Sequence, residues 1–186
     1  MSKLYCVQYK GLLGFIKPYN ALRDDETYSL TYITPSMLDG IAKGYSLKSK
    51  IARHKLTFYG MTECDFIKGQ PYEKYSDGKP FRNQSQPQKR HSLKNVTLIL
   101  GFDNKEDAER MIMPTIYCGQ SEYLLSPRRF DDNAQILEID DCDFDKLQGV
   151  ETFECDENDE DALFCGFNRQ RNGERMYIKI NRVDWK

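Results

Sequence analysis

Residues 93–102 carry the clearest strand pattern in the chain, because apolar side chains recur there at every second position. Four alternate residues form the predicted core face: Val96, Leu98, Leu100 and Phe102. A helix pattern follows at once, with Asn104 able to cap its first turn and Pro114 placed to end it. Residues 115–125 then read as a strand interrupted at Gly119. This half of the chain is therefore predicted to be β-α-β.

The preceding half repeats that order. Its elements are a strand at residues 3–9, a turn at Gly11 and Gly14, a helix starting at Thr34-Pro35 and a strand at residues 50–59. A polar, Gly- and Pro-rich excursion at residues 60–90 separates the halves, either as a loose loop or as an extended hairpin. The predicted fold is α+β, a ferredoxin-like β-α-β-β-α-β domain with a thumb-like hairpin insertion.

The chain of 186 residues leaves room for little beyond that domain. We expect a ferredoxin-like domain at residues 1–130, with the insertion at residues 60–92, and an extension at residues 131–186. Asn172-Gly173 lies between two β-prone runs and predicts a C-terminal hairpin. No apolar run is long enough for a membrane span, and no signal peptide is evident.

Charge is unevenly distributed along the sequence. Residues 138–161 hold twelve acidic residues and one basic residue, a net charge of -11, whereas the rest of the chain carries 26 Lys and Arg against 17 Asp and Glu, or +9. A basic body with one acidic stretch fits a surface that binds a polyanion. The alternative is a solvated acidic loop on an ordinary surface. The stretch could also contact a basic partner or screen out stray RNA.

Metal and cofactor binding find little support in the sequence. The six cysteines include no C-x-x-C pair, so we expect reduced thiols in a cytoplasmic protein, no zinc site and no cofactor. His54 falls on the core-leaning face of its strand and is predicted to be structural. Asp103, Glu106 and Asp107 are better explained as a solvated helix start than as metal ligands.

Basic and aromatic residues cluster on the second strand, on the excursion and on the strand that returns from it. The candidate RNA-binding residues are Arg53, Lys55, Tyr59, Lys79, Arg82, Arg90 and Lys94. Cations bind phosphates and aromatic rings stack on unpaired bases. The alternative is that these charges only keep an exposed hairpin soluble.

Lys89 and His91 are predicted to point away from the core if strand alternation extends back from Thr97. A histidine exchanges protons near neutral pH, and a lysine stabilises a charged phosphate. Those groups meet the needs of metal-independent RNA cleavage by attack of a 2′-hydroxyl. A phosphate-binding patch without catalysis is the alternative.

Four segments resemble the Cas-five family of CRISPR-associated RAMP proteins. They are Gly14–Pro18, Ser29–Ile41 with its Tyr-x-x-Pro-Ser-x-x-x-Gly-Ile pattern, Pro114–Tyr123, and Gln86–Val96, which is similar to the strand returning from the family's thumb hairpin. The likeness covers about residues 3–126.

The resemblance implies a subunit of a Cascade surveillance complex. Such a subunit grips the 5′ handle of CRISPR RNA, packs its thumb against the Cas-seven backbone subunit and contacts the large subunit. The type I-C branch also cleaves the repeat RNA, which implies Tyr32, Lys89 and His91 as catalytic residues, although Arg90 separates the Lys from the His.

Two other functions remain open. The chain could be a virus-borne Cas-five-like decoy that enters or blocks the complex, which its short length and acidic stretch would suit. It could also be an unrelated ferredoxin-like protein with no nucleic-acid role.

Overall fold

The structure is a computed structural model that describes residues 3–19, 26–67, 73–74, 80–81, 87–130 and 134–183. It is an α+β protein, mostly antiparallel sheet with few helices, as the sequence predicts at this level. The strands are β1 Lys3–Gly14, β2 Glu26–Tyr28, β3 Arg53–Thr57, β4 Gly60–Ile67, β5 Glu73–Lys74, β6 Pro80–Phe81, β7 Pro87–Phe102, β8 Ile116–Tyr117, β9 Leu124–Arg128, β10 Ile136–Asp140, β11 Gly149–Cys155, β12 Leu163–Asn168 and β13 Glu174–Val183. The helices are α1 Pro35–Gly44, α2 Lys105–Met111 and α3 Asp141–Phe144, with a 3-10 turn at Arg169–Arg171.

Strand β7 is the central element of the main sheet, whose order is β12-β13-β11-β3-β7-β1-β9-β8. The C-terminal half of β7 lies between β1 and β3, and its N-terminal half pairs with β4 on one side and with β2, in parallel, on the other. The β5–β6 pair forms a separate two-stranded sheet. Of the two forms predicted for the excursion, the extended hairpin is the one observed.

The core lies where the strand pattern predicts it. Val96, Leu98, Leu100 and Phe102 are fully buried in one large cluster, which both longer helices join through residues such as Ile41 and Met111. The opposite face of the sheet is also covered, because Leu4, Cys6, Ile99 and Phe144 form a second cluster beneath α3. Apolar side chains are therefore buried on both faces of the sheet.

Helix α1 begins at Pro35, as predicted, although its N-cap Thr34 makes no side-chain capping bond. Helix α2 is capped by Asn104, whose side chain accepts a hydrogen bond from the Asp107 amide at 2.8 Å. The prediction of a solvated helix start is wrong for Asp107, which is fully buried and accepts bonds from Ser49 and from the Lys48 amide. Burial favours the neutral acid, but these hydrogen bonds outweigh it and lower the pKa of Asp107 to about 2.

The predicted turn at Gly11 and Gly14 is wrong, because β1 continues through both residues. A Cβ on Gly11 would come within 2.5 Å of the Leu124 carbonyl oxygen, and one on Gly14 within 2.6 Å of the Cys118 sulfur. The glycines are needed because the neighbouring segment packs directly on the strand.

The acidic stretch is folded. It supplies the end of β10, α3 and β11, and β11 joins β13 to β3 through the pairing of Val150 with Leu56. The predicted C-terminal hairpin is confirmed as β12–β13, with Asn172 and Gly173 in left-handed conformations at its turn. Strands from both sides of residue 130 share one sheet, and the division into domains there stays a prediction.

Every helix in the described ranges is too short or too polar to cross a membrane. All six cysteines lie in those ranges and are free thiols.

Candidate nucleic-acid interface

A cleft of about 430 Å³ lies where three segments of the resemblance meet the C-terminal hairpin. Its lining includes Ile16–Pro18 after β1, Thr34 and Ser36 at the start of α1, and Gly119-Gln120 after β8. Cys165, Phe167 and Arg169 close it from the hairpin. Parts distant in sequence therefore build one concave surface.

Backbone hydrogen bonds hold the three segments together. The Phe15 amide donates to the Cys118 carbonyl at 3.1 Å, and the Leu30 amide donates to the Ile16 carbonyl at 2.8 Å. Gly119 has a φ of +88°, and a Cβ there would lie 2.1 Å from the Phe15 carbonyl oxygen. Only glycine allows this approach, so the local sequence sets the shape of the cleft floor.

The C-terminal hairpin is fixed to α1 by polar contacts. The side-chain amide of Asn168 and the Arg171 guanidinium both donate hydrogen bonds to the Asp39 carboxylate at 2.8 Å. Arg171 also forms an ion pair with Glu154. These bonds raise the pKa of Arg171 further, with Glu154 as the largest cause and Asp39 next. The side of the cleft that lies outside the resemblance is thus well anchored.

The cleft combines positive charge with exposed aromatic rings. Among the described lining residues two are cations, Lys17 and Arg169, and none is acidic. Both cations are exposed, and neither has an ion pair with a described residue. Tyr19 and Phe167 are each about half exposed, at 51% and 52%. Phosphates and unpaired bases are the ligands that such groups favour, and the amino end of α1 adds a partial positive charge.

Arg53 and Lys55, two of the predicted RNA-binding residues, are covered by the acidic stretch. The Arg53 guanidinium contacts Glu151 at 2.5 Å, Asp145 at 2.6 Å and Asp141 at 3.1 Å. Lys55 is fully buried with its ammonium 3.2 Å from Glu151. The hydrogen bond that Arg53 donates to Glu151 is the largest of the effects that raise the pKa of Arg53. Carboxylates of the acidic stretch therefore pair with both cations, and their predicted contact with RNA stays a prediction.

His54 has the structural surroundings that its position predicts. His54 is 2% exposed, and its Nε2 accepts a hydrogen bond from the Thr152 backbone amide at 3.2 Å. Burial lowers the pKa of His54 to about 4, so the imidazole is neutral at physiological pH. It links β3 to β11.

Arg90 turns toward the body of the protein. Its guanidinium lies 5.2 Å over the Phe15 ring and donates to Gln120 and Glu122 at 2.8 Å each. With 12% of its side chain exposed, Arg90 supports the loop after β8 more than it offers charge to solvent. Its predicted contact with RNA stays a prediction.

Tyr59 and Lys94 are the exposed members of the predicted RNA-binding set. Tyr59 is 82% exposed, and its amide donates to the Lys94 carbonyl at 2.8 Å at the root of the β4–β7 hairpin. Lys79 and Arg82 lie outside the described residues.

The predicted catalytic residues fall in different surroundings. His91 stacks on Tyr28, with ring centroids 4.0 Å apart, and its Nε2 lies 2.6 Å from Glu26. Lys89 pairs with Glu63 at 2.8 Å. Tyr32 instead packs on the buried cluster of Cys165, Met176 and Ile178. The tyrosine in contact with His91 is therefore Tyr28, which the resemblance did not indicate.

Similarity to known proteins rests on the fold. No protein-family model and no curated protein sequence matches the chain. A chain described as "CRISPR RNA-guided surveillance complex" matches in structure with a TM-score of 0.51 and 12% identity, covering 97% of this chain and 90% of that one. At this identity the likeness shows a common fold.

Several residues of the cleft were missed by the sequence reasoning. Lys17 lies within Gly14–Pro18, a segment that resembles the Cas-five family, so the sequence offered a reason to consider it as a site residue. Tyr19, Phe167 and Arg169 carried no such signal, because the cleft exists only once the hairpin packs against α1.

Proposed function

We propose that the protein is an RNA-binding subunit of a CRISPR RNA-guided surveillance complex, with a ferredoxin-like core of the Cas-five type. The observation that carries this proposal is the fold likeness over 97% of the chain to a chain of such a complex. The strand order β3-β7-β1-β9, with α1 and α2 as crossovers, supports the ferredoxin-like part of the proposal.

The cleft is the proposed site for a single-stranded RNA segment such as the 5′ handle. Lys17 and Arg169 would contact phosphates, and Tyr19 and Phe167 would stack on bases. Tyr59 and Lys94 would extend the path along the root of the β4–β7 hairpin, which would pack against a Cas-seven backbone subunit. Contacts with the large subunit and a cytoplasmic location complete the proposal.

Fluorescence anisotropy with a labelled single-stranded CRISPR repeat RNA tests the site. Lys17→Glu and Arg169→Glu should each weaken binding about tenfold, because each loses one phosphate contact and adds repulsion. The matched control is Lys146→Glu, which reverses a 75%-exposed lysine outside the lining of the cleft and should leave affinity unchanged. Equal losses in all three variants, or none in the cleft variants, would refute the cleft as the RNA site.

Cleavage is tested separately with the same RNA in EDTA. If the chain processes repeats through Lys89 and His91, His91→Ala should abolish the product while binding persists. Three carboxylates, Glu26, Glu63 and Asp65, share the strand face of Lys89 and His91 and disfavour a phosphate there. We therefore expect no cleavage, and a metal-independent product lost in His91→Ala would prove this expectation wrong.

A second candidate is a decoy that enters or blocks the complex without gripping RNA. It is favoured by the carboxylates that neutralise Arg53, Lys55 and Lys89. The decoy should lower interference when expressed in cells with an active system. Unchanged interference with normal assembly of the complex would eliminate it.

A further inference from the structure

One face at the base of the β4–β7 hairpin gathers side chains that the proposed function does not use. The register aligns β2, β7 and β4 so that Tyr28 and Glu63 both lie beside His91. Glu26 and Asp65 likewise flank Lys89. Since positions two apart share a face, these six side chains point the same way from three adjacent strands.

Three of these residues present ligand atoms to one point. One ring nitrogen of His91 and one carboxylate oxygen each from Glu26 and Glu63 all lie within 4.8 Å of one another. Ligand atoms around a tetrahedral zinc ion are roughly 3.4 Å apart, given bond lengths near 2.1 Å. The contact of 2.6 Å between His91 Nε2 and Glu26 is shorter than that spacing, and the limit of 4.8 Å for the three atoms is longer, so metal binding would require side-chain shifts of about 1 Å.

The imidazole is already held in position. Its ring lies parallel to Tyr28, with an angle of 4° between the planes and 16% of the side chain exposed. The Tyr28 hydroxyl donates to Glu26 at 3.1 Å, so the same tyrosine also restrains a carboxylate. Groups that orient ligands in this way are typical of metal sites, where their loss reduces affinity.

Charge on this face favours a cation over a phosphate. The described residues there include three carboxylates against one ammonium, that of Lys89. Lys89 reaches Glu63 at 2.8 Å and so occupies part of the space a metal ion would take, but it is 54% exposed and can turn away to solvent. The histidine separates this group from a plain acidic cluster, because it adds a nitrogen ligand with a fixed direction.

We propose that Glu26, Glu63 and His91 bind one divalent transition-metal ion, best matched by Zn²⁺, which ties β2, β7 and β4 together at the base of the hairpin. One imidazole and two carboxylates suit zinc and its neighbours in the first transition series better than Mg²⁺ or Ca²⁺, which prefer oxygen alone. Three protein ligands leave a fourth position for water or for a group from a bound partner. The site is independent of RNA binding by the cleft.

The test is equilibrium dialysis of the full chain against Zn²⁺, with the bound metal measured by mass spectrometry. The native chain should retain one ion. His91→Ala and Glu63→Gln should each weaken binding at least tenfold, and Tyr28→Phe by a smaller factor through loss of its hydrogen bond to Glu26. Lys89→Ala should strengthen binding a few-fold, because the competing ammonium is gone.

The controls distinguish this site from thiols and from the acidic stretch. Glu157→Gln removes a carboxylate from an acidic groove elsewhere and should leave binding unchanged. Because the chain has six free cysteines, the absorption spectrum with Co²⁺ tests for thiolate ligands, and it should lack thiolate bands if His91 and the two carboxylates hold the ion. Far-UV circular dichroism verifies folding, and Glu63→Gln, at an exposed position, serves if His91→Ala does not fold.

Retention of zinc by both His91→Ala and Glu63→Gln at native affinity would overturn the proposal. So would a native chain that binds no more than these variants. Because no RNA is present, failure here leaves the proposed RNA-binding function intact, and failure of RNA binding leaves the metal site intact.

Discussion

Two groups of cations in this protein have opposite surroundings. Arg53 and Lys55 are held beneath the acidic stretch and share Glu151, whereas Lys17 and Arg169 line an open cleft with no acidic residue in its described lining. The sequence reasoning assigned RNA binding to the first pair and overlooked the second. The difference arises from β11, whose Glu151 pairs with both Arg53 and Lys55.

The largest expected effect comes from breaking the buried group. Glu151→Gln should lower the free energy of unfolding by about 3–5 kcal/mol, because Lys55 is then left buried without a counter-charge. Urea denaturation measures this loss. Asp145→Asn, which removes an exposed partner of the same Arg53, should cost less than about 1 kcal/mol. Similar losses in the two variants would mean that burial does not distinguish these contacts.

The floor of the cleft is tested by Gly119→Ala. The added Cβ meets the Phe15 carbonyl and the backbone has a positive φ, so we expect a loss of about 3 kcal/mol in unfolding free energy. Gly40→Ala is the control, since its Cβ on α1 meets nothing within 4 Å and should add up to about 1 kcal/mol of stability. A neutral Gly119→Ala would show that the loop after β8 is not in tight contact with the Phe15 backbone that follows β1.

His54 lies on the same strand as Arg53 and Lys55, and its burial predicts that the stability of the protein depends on pH. Its pKa is about 4 in the folded protein, below the ordinary value of 6.5, so the unfolded chain binds more protons between these values. Stability should therefore fall by about 3 kcal/mol as the pH drops from 6.5 to 4. The free energy of unfolding, measured by urea denaturation at several pH values in this range, should depend less on pH in His54→Gln. A slope unchanged in the variant would assign the effect to other groups.

The smallest expected effect is on salt dependence. Each phosphate contact in a single-stranded complex contributes roughly 0.7 to the slope of log affinity against log salt. The double variant Lys17→Gln with Arg169→Gln should reduce that slope by about 1.4 in RNA-binding titrations. The control is Lys146→Gln, which should keep the native slope. A native slope in the double variant would place the phosphate contacts elsewhere.

Some elements of the structure could be predicted from the sequence, and others could not. Alternation predicted the core face of β7, Asn104 predicted the cap of α2, and Asn172-Gly173 predicted the C-terminal hairpin. Gly11 and Gly14 were wrongly predicted to form a turn, because the segments that pack on them, at Leu124 and Cys118, are distant in sequence. The family resemblance implied Tyr32 as a catalytic residue together with Lys89 and His91, whereas parallel pairing of β2 with β7 brings Tyr28 into contact with His91.

The sequence by itself determined the alternation of apolar residues in strands, the residues that form turns and the clustering of acidic residues at 138–161, because these depend on neighbours along the chain. Only the tertiary structure decided that the acidic stretch covers Arg53 and Lys55 and that the cleft forms between α1 and the C-terminal hairpin. It also decided that Glu26, Glu63 and His91 lie together. Each of these arrangements joins strands far apart in sequence, and long-range pairing is set by the packing of the whole sheet.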